Sequence, residues 1–207
     1  MKPIYHVYED EAEFADAART LHDALWDSFL PQGSTTEWHT DKMSQLDGID
    51  RTITLPDGRT MTADDKVRKK TWRDVLLETQ TNGVRGRSGW LWTSRAGLVC
   101  YAWLPTRSAV IFPLRAVRRA AMEDVENWQL QHGIAPAYNV RSYVTLNIPM
   151  PTNQLVEIVD KFHPHRPCWT CSRERRWSEI RAASGIFGCA DCNTVGQSPW
   201  GLKLEEK

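Results

Sequence analysis

From Ile49 to Arg68 the chain alternates two kinds of side chain on either side of Pro56-Asp57-Gly58, and that pattern admits one local fold. A period of two puts alternate residues on opposite faces of a strand. Pro-Asp-Gly between two such runs is tight-turn chemistry. The reading is a β-hairpin with strands near 49–55 and 59–68. Paired symmetrically outward from the turn, Leu55 faces Arg59, Ile53 faces Met61 and Arg51 faces Ala63. On the other face Thr54 opposes Thr60, Thr52 opposes Thr62 and Asp50 opposes Asp64. One face is largely apolar, with Ile53, Leu55, Met61, Ala63 and Val67. The other carries Asp50, the threonines, Asp64 and Lys66, and Asp65 points away from it. A one-residue bulge would slip this register and change which acids share a face.

In this register Asp50 and Asp64 stand roughly 5 Å apart at Cβ. Two ionised carboxylates so close repel unless a cation sits between them. Hard oxygen ligands around one point suit Mg²⁺ or Mn²⁺, which take one or two carboxylates together with waters and substrate phosphate. Lys66 lies two residues after Asp64 on the same strand, so its ammonium points into the same place, where it can hold a phosphate oxygen or orient a water. Carboxylates plus an ammonium at one point form the apparatus of metal-assisted phosphodiester hydrolysis. A hairpin with solvated surface charges is the alternative.

At these residues the chain resembles the PD-(D/E)xK nuclease superfamily, phage and prophage members in particular. In that family an Asp begins one hairpin strand and a (D/E)xK triplet lies on the next. Here Asp50 matches the first, and Asp64-Asp65-Lys66 the triplet. Ile49 stands where the family usually has proline. The resemblance covers residues 1–150 loosely, with 47–78 diagnostic. It implies a restriction-endonuclease-like αβββαβ core, cleavage of DNA, and a further glutamate from the preceding helix, for which Glu13 or Glu11 is available. Both would equally complement a helix N-terminus. Glu78, at the end of "DVLLE", is a third candidate acid or a strand-end surface residue.

The rest of the chain fits a mixed α/β or α+β domain around one sheet. Residues 9–29 read as a helix, with Phe14, Ala17, Leu21, Leu25 and Phe29 at helical spacing. A polar connector runs to the hairpin. "RDVLLET" at 73–79 reads as a buried strand, and "WLWTSRAGLVCYAWL" with "SAVIFPL" gives three more. A helix near 114–130, a strand in "SYVTLNIPM" and a helix from Thr152 to about Phe162 follow. No apolar run is long enough to span a membrane. The N-terminus lacks a signal-peptide core, so the expected location is cytoplasmic, the host cytoplasm for a phage-encoded chain.

The net charge of zero hides a polarity. Residues 1–50 hold 11 acids and 3 bases, and residues 51–119 hold 5 acids and 14 bases. A basic field around a carboxylate cluster suits a polyanionic substrate. Arg68, Lys69, Lys70, Arg115, Arg118 and Arg119 are the candidate phosphate contacts. Ten tryptophans, several beside bases, can stack bases, although core packing accounts for most such rings.

At residue 163 the character changes. Cys168, Cys171, Cys189 and Cys192 form two C-x₂-C knuckles seventeen residues apart. That spacing fits a structural Zn²⁺ held by four thiolates. Two disulfides are the alternative, disfavoured in a reducing compartment. The expected organisation is a nuclease-like domain at 1–162 and a zinc-ribbon module at 163–207, folded by its metal. Arg173, Arg175 and Arg176 between the knuckles are candidate nucleic-acid contacts, though such ribbons also dock on proteins. The expected function is a Mg²⁺-dependent deoxyribonuclease. A non-catalytic nucleic-acid-binding or protein-docking chain on the same fold is the rival.

Overall fold

The computed structural model describes residues 8–70, 72, 74–82, 86–138 and 144–162. It also describes short strands at 166–167, 174–175, 180–183, 186–189 and 202–203. Helix α1 (Tyr8–Phe29) buries Ala18, Leu21, Leu25, Trp26 and Phe29 along one stripe, the helical spacing that sequence predicts. The connector after it holds more structure than its polarity suggests. Strand β1 (Thr35–Trp38) and the exposed helix α2 (Lys42–Leu46) lie within it. Asp41 caps α2, its carboxylate accepting from the Met43 and Ser44 N–H groups at 3.0 and 2.9 Å.

The hairpin is β2 (Arg51–Thr54) and β3 (Thr60–Arg68). Its ladder pairs Thr54 with Thr60, Ile53 with Met61, Thr52 with Thr62 and Arg51 with Ala63, the register that alternation gives. Leu55 N–H donates to Arg59 O at 2.8 Å, and Gly58 takes φ +82° to close the turn. The next step is irregular. Asp50 N–H donates to Ala63 O at 2.9 Å, although the ladder partner of Ala63 is Arg51. Asp50 therefore does not simply continue the pairing opposite Asp64.

After β3 come β4 (Asp74–Asn82), β5 (Arg87–Ser88), α3 (Trp90–Thr93), β6 (Leu98–Trp103) and β7 (Ser108–Pro113). They lead to α4 (Leu114–His132), β8 (Ala135–Tyr138), β9 (Val144–Pro151) and α5 (Thr152–Phe162). The expectation of one sheet is corrected to two. One runs β1-β2-β3-β6-β7 and gains β14 (Leu202–Lys203) at its edge. In it β3 pairs parallel with β6 and the other neighbours are antiparallel. The second is antiparallel, in the order β5-β4-β9-β8. The chain is thus mixed α/β with a mixed main sheet. Residues 90–93, expected as strand, form the short helix α3.

Cross-strand partners share a face, so β3 sorts cleanly. Ala63, Asp65 and Val67 share their face with Leu98, Cys100 and Ala102. Helix α1 covers it, since Trp26 Nε1 donates to Asp65 Oδ1. Asp64, Lys66 and Arg68 share the other face with Val99, Tyr101 and Trp103. There the second sheet approaches: Leu76 N–H donates to the Tyr101 hydroxyl at 3.2 Å, and Arg68 pairs with Asp74. Two short hairpins lie further along, β10 (Arg166–Pro167) with β11 (Glu174–Arg175) and β12 (Ile180–Ala183) with β13 (Ile186–Cys189). Among the described residues no helix is long and apolar enough to cross a membrane.

Candidate metal centre

Two strands and a loop held by two ties deliver the site. Asp64 and Lys66 project from β3 toward the second sheet. Asp64 is fully buried, and Lys66 forms an ion pair with its Oδ1. Asp64 Oδ2 is also buried and has no hydrogen-bond partner among the described residues. A buried carboxylate oxygen left unpaired costs free energy unless something positive reaches it. Burial first, with the neighbouring Asp50 carboxylate adding, pushes the Asp64 carboxyl up to about 6, against the pull of Lys66. Burial works against the Lys66 ammonium, yet Asp64, Asp50 and Glu78 outweigh it and hold its pKa above the ordinary lysine value. Asp50 and Glu78 thus lie near enough to Lys66 to act on its charge.

Asp50 arrives from a tightly tied loop. Gly48 takes φ +64°, and a methyl group there would stand 2.9 Å from the Ser94 side chain. Ser94 Oγ donates to Gly48 O at 3.1 Å, and Arg95 N–H donates to Asp47 O at 2.7 Å. One oxygen of Asp50 is then fixed, because Asp65 N–H donates to Asp50 Oδ2 at 2.8 Å. Glu78 comes from β4, at a bulge that shifts the pairing with β9 between Glu78 and Gln80. Bulges re-aim side chains in this way. Thr81 Oγ1 donates to Glu78 Oε1 at 2.6 Å, and Gly89 packs so closely that a Cβ would meet Glu78 O at 2.3 Å. The Trp90 ring stands 5.9 Å from Lys66 Nζ. A groove of about 470 Å³ between α1 and the β1–α2 segment reaches Asp50, past Phe14, Arg19, Trp38 and His39.

No family model, curated protein or solved structure matches this chain. What can be said of the site rests on its own geometry. Asp64 pairs with Lys66 and leaves one buried oxygen without a partner among the described residues, and Asp50 and Glu78 lie near enough to act on Lys66, although the three acids do not bring their oxygens within 4.8 Å of one another. That donor set is all oxygen, which fits a hard divalent cation such as Mg²⁺ or Mn²⁺. A second cluster, His22, Asp65 and Cys100, has its ligand atoms within 4.8 Å of one another. Two of its three residues are already engaged. Asp65 accepts from Trp26 and Arg51, and the His22 ring nitrogens lie against Ala18 O and Lys66 O at 2.9 and 3.3 Å. The His22 and Asp65 bonds tie α1 to β2 and β3.

Of the residues singled out by sequence, Asp64 and Lys66 pair, and Asp50 and Glu78 lie near enough to act on Lys66. Glu13 does not: it is exposed on α1, the helix covering the opposite face from Asp64 and Lys66. Among the bases, Lys69, Lys70, Arg115 and Arg119 are exposed, with Lys69 Nζ 4.2 Å from the Phe14 ring and Arg119 5.7 Å from Phe162. Two others are engaged within the protein. Arg68 pairs with Asp74, and Arg118 donates to Leu91 O and Ser94 O at 2.8 and 2.6 Å, tying α4 to α3. Cys168, Cys171, Cys192, Arg173 and Arg176 lie outside the described residues. Cys189 ends β13 and Arg175 ends β11, and in both strands only the backbone is described. Sequence reasoning missed Arg51, Asp23, Trp26 and Trp38, which bind the far side of the hairpin. The signal was present: alternation places Arg51 and Asp65 on the apolar face.

Proposed function

We propose that this chain is a Mg²⁺- or Mn²⁺-dependent nuclease of the PD-(D/E)xK type, hydrolysing phosphodiester bonds of DNA. The buried Asp64 carboxylate carries the reading, one oxygen paired with Lys66 and the other without a partner among the described residues, with Asp50 and Glu78 near enough to act on Lys66. Asp50 and Asp64 would hold the cation, with Glu78 as a third oxygen donor. When bound, the cation supplies Lewis-acid stabilisation of charge on the phosphate. Lys66 donates hydrogen bonds from its ammonium to a phosphate oxygen and to the attacking water, setting the line of attack. Glu78 is placed to accept a proton or to orient that water. The Trp90 ring, 5.9 Å from Lys66 Nζ, would flank the Lys66 side of the site. The exposed bases Lys69, Lys70, Arg115 and Arg119 supply backbone phosphate contacts.

Four thiolates at Cys168, Cys171, Cys189 and Cys192 would hold a structural Zn²⁺ in a ribbon that aids binding of nucleic acid or of a protein. Its support is the knuckle spacing and the β12–β13 hairpin that ends on Cys189.

The test is incubation of the full chain with plasmid, linear and branched DNA in Mg²⁺, then in EDTA. Cleavage that EDTA stops and that Asp64→Ala or Lys66→Ala lowers by at least about 100-fold is expected. Binding without cleavage of any of the three would replace this reading by a non-catalytic nucleic-acid-binding one.

A further inference from the structure

Arg51 and Asp65 adjoin the site in sequence, one following Asp50 and one between Asp64 and Lys66. Their side chains turn to the other face of the sheet and meet there. Arg51 is fully buried. Its Nε donates to Asp65 Oδ2 at 2.9 Å, Nη1 to Thr36 Oγ1 at 3.2 Å and Nη2 to Asp23 Oδ1 at 3.0 Å. The guanidinium lies 4.2 Å from the Trp38 ring centroid. Asp65 Oδ1 accepts from Trp26 Nε1 at 2.9 Å, so both its oxygens are committed. Its main-chain N–H is what holds Asp50 Oδ2.

A buried ion pair is weak evidence for stability, because desolvation offsets most of the attraction. An apolar pair would fill this face at least as well. What an apolar pair would not do is fix β2 against β3 at the step where the ladder becomes irregular. That step places Asp65 N–H on Asp50 Oδ2, one residue along β3 from Asp64. We propose that the Arg51–Asp65 ion pair positions the Asp50 and Asp64 carboxylates for one shared divalent cation, an inference that rests on reading the site as a metal centre. The two are positioning residues, since neither touches the cation. Groups that orient metal ligands from behind typically set affinity by 10- to 100-fold.

The experiment measures Mn²⁺ affinity of the full chain by electron paramagnetic resonance at pH 7.5, without nucleic acid, alongside Tm. Asp65→Asn is the direct variant. The double variant Arg51→Gln/Asp65→Asn keeps hydrogen-bonding groups without the charges and guards against a single variant that fails to fold. Leu155→Ala, in the buried stripe of α5 and in none of the contacts that form the site, serves as a control for general loss of stability. The expected result is Mn²⁺ binding weakened about 10- to 100-fold in the Arg51 and Asp65 variants, with Leu155→Ala lowering Tm and binding Mn²⁺ as the parent does. Parent-like affinity in a folded double variant overturns the inference alone, as does an equal loss in Leu155→Ala. A parent chain that binds no Mn²⁺ overturns the metal-centre reading and this inference with it.

Discussion

Asp64 carries a cost at neutral pH. Burial holds its carboxyl at about 6 in the fold, against 3.8 for the free group. Between those values the folded chain keeps a proton that the unfolded chain has released, so stability falls as pH rises through that window and stays lowered at pH 7. Asp64→Asn escapes the cost. Its stability relative to the parent, measured by urea denaturation in EDTA, is expected to rise from pH 4 to pH 7 by roughly 1–3 kcal/mol. A difference that stays flat with pH would rule out the buried, ionising Asp64 described above. The same proton competes with a cation, so Mn²⁺ affinity should fall by about tenfold per pH unit below pH 6. At Gly89 a methyl group meets Glu78 main chain and Cγ at 2.3 and 2.7 Å. Gly89→Ala should cost on the order of 1–3 kcal/mol, read by denaturation, and displace Glu78. Neither effect was legible in sequence. Asp64 could be assigned a face from alternation, but its burial depends on the second sheet lying across it, which no local pattern encodes.

At the scale of elements, what alternation and helical spacing can specify, they specified. The β2–β3 register is legible through Arg51–Ala63 because the turn fixes it and the two faces differ in polarity. It stops being legible at Asp50, where ties from Gly48 to Ser94 and from Asp47 to Arg95 bend the strand entry. Trp90–Thr93 reads as strand because a short apolar run has no distinguishing period. Strand β1 was invisible because it is short and half-exposed, and it exists through its pairing with β2. The energetics of these elements should differ accordingly. Leu25 on α1 is fully buried, whereas Met43 on α2 is 67% exposed. Leu25→Ala is expected to cost about 2–5 kcal/mol and Met43→Ala less than about 0.5 kcal/mol, both measurable by chemical denaturation.

In the whole molecule, the proposed carboxylate site and the proposed zinc ribbon would take different ions. Cys189→Ser should abolish zinc content measured by elemental analysis, yet leave Mn²⁺ binding at Asp64 within about twofold of the parent. Loss of both together would mean that the four thiolates support the carboxylate site. The cysteine spacing is written in the sequence, but the pairing of β14 with β7 in the main sheet is not. Nor is the splitting of the strands between two sheets, because strand pairing over long separations leaves no periodic trace. The parallel pairing of β3 with β6 has a consequence for how the molecule assembles. Strand β3 meets β2 across a turn of a few residues, but meets β6 only after the chain has made β4, β5 and α3. Closing that longer loop costs more entropy, and non-local pairing is slow. Asp50 and Asp64 should therefore meet early in folding, with Glu78 arriving only when the excursion docks, so that the third acid comes last.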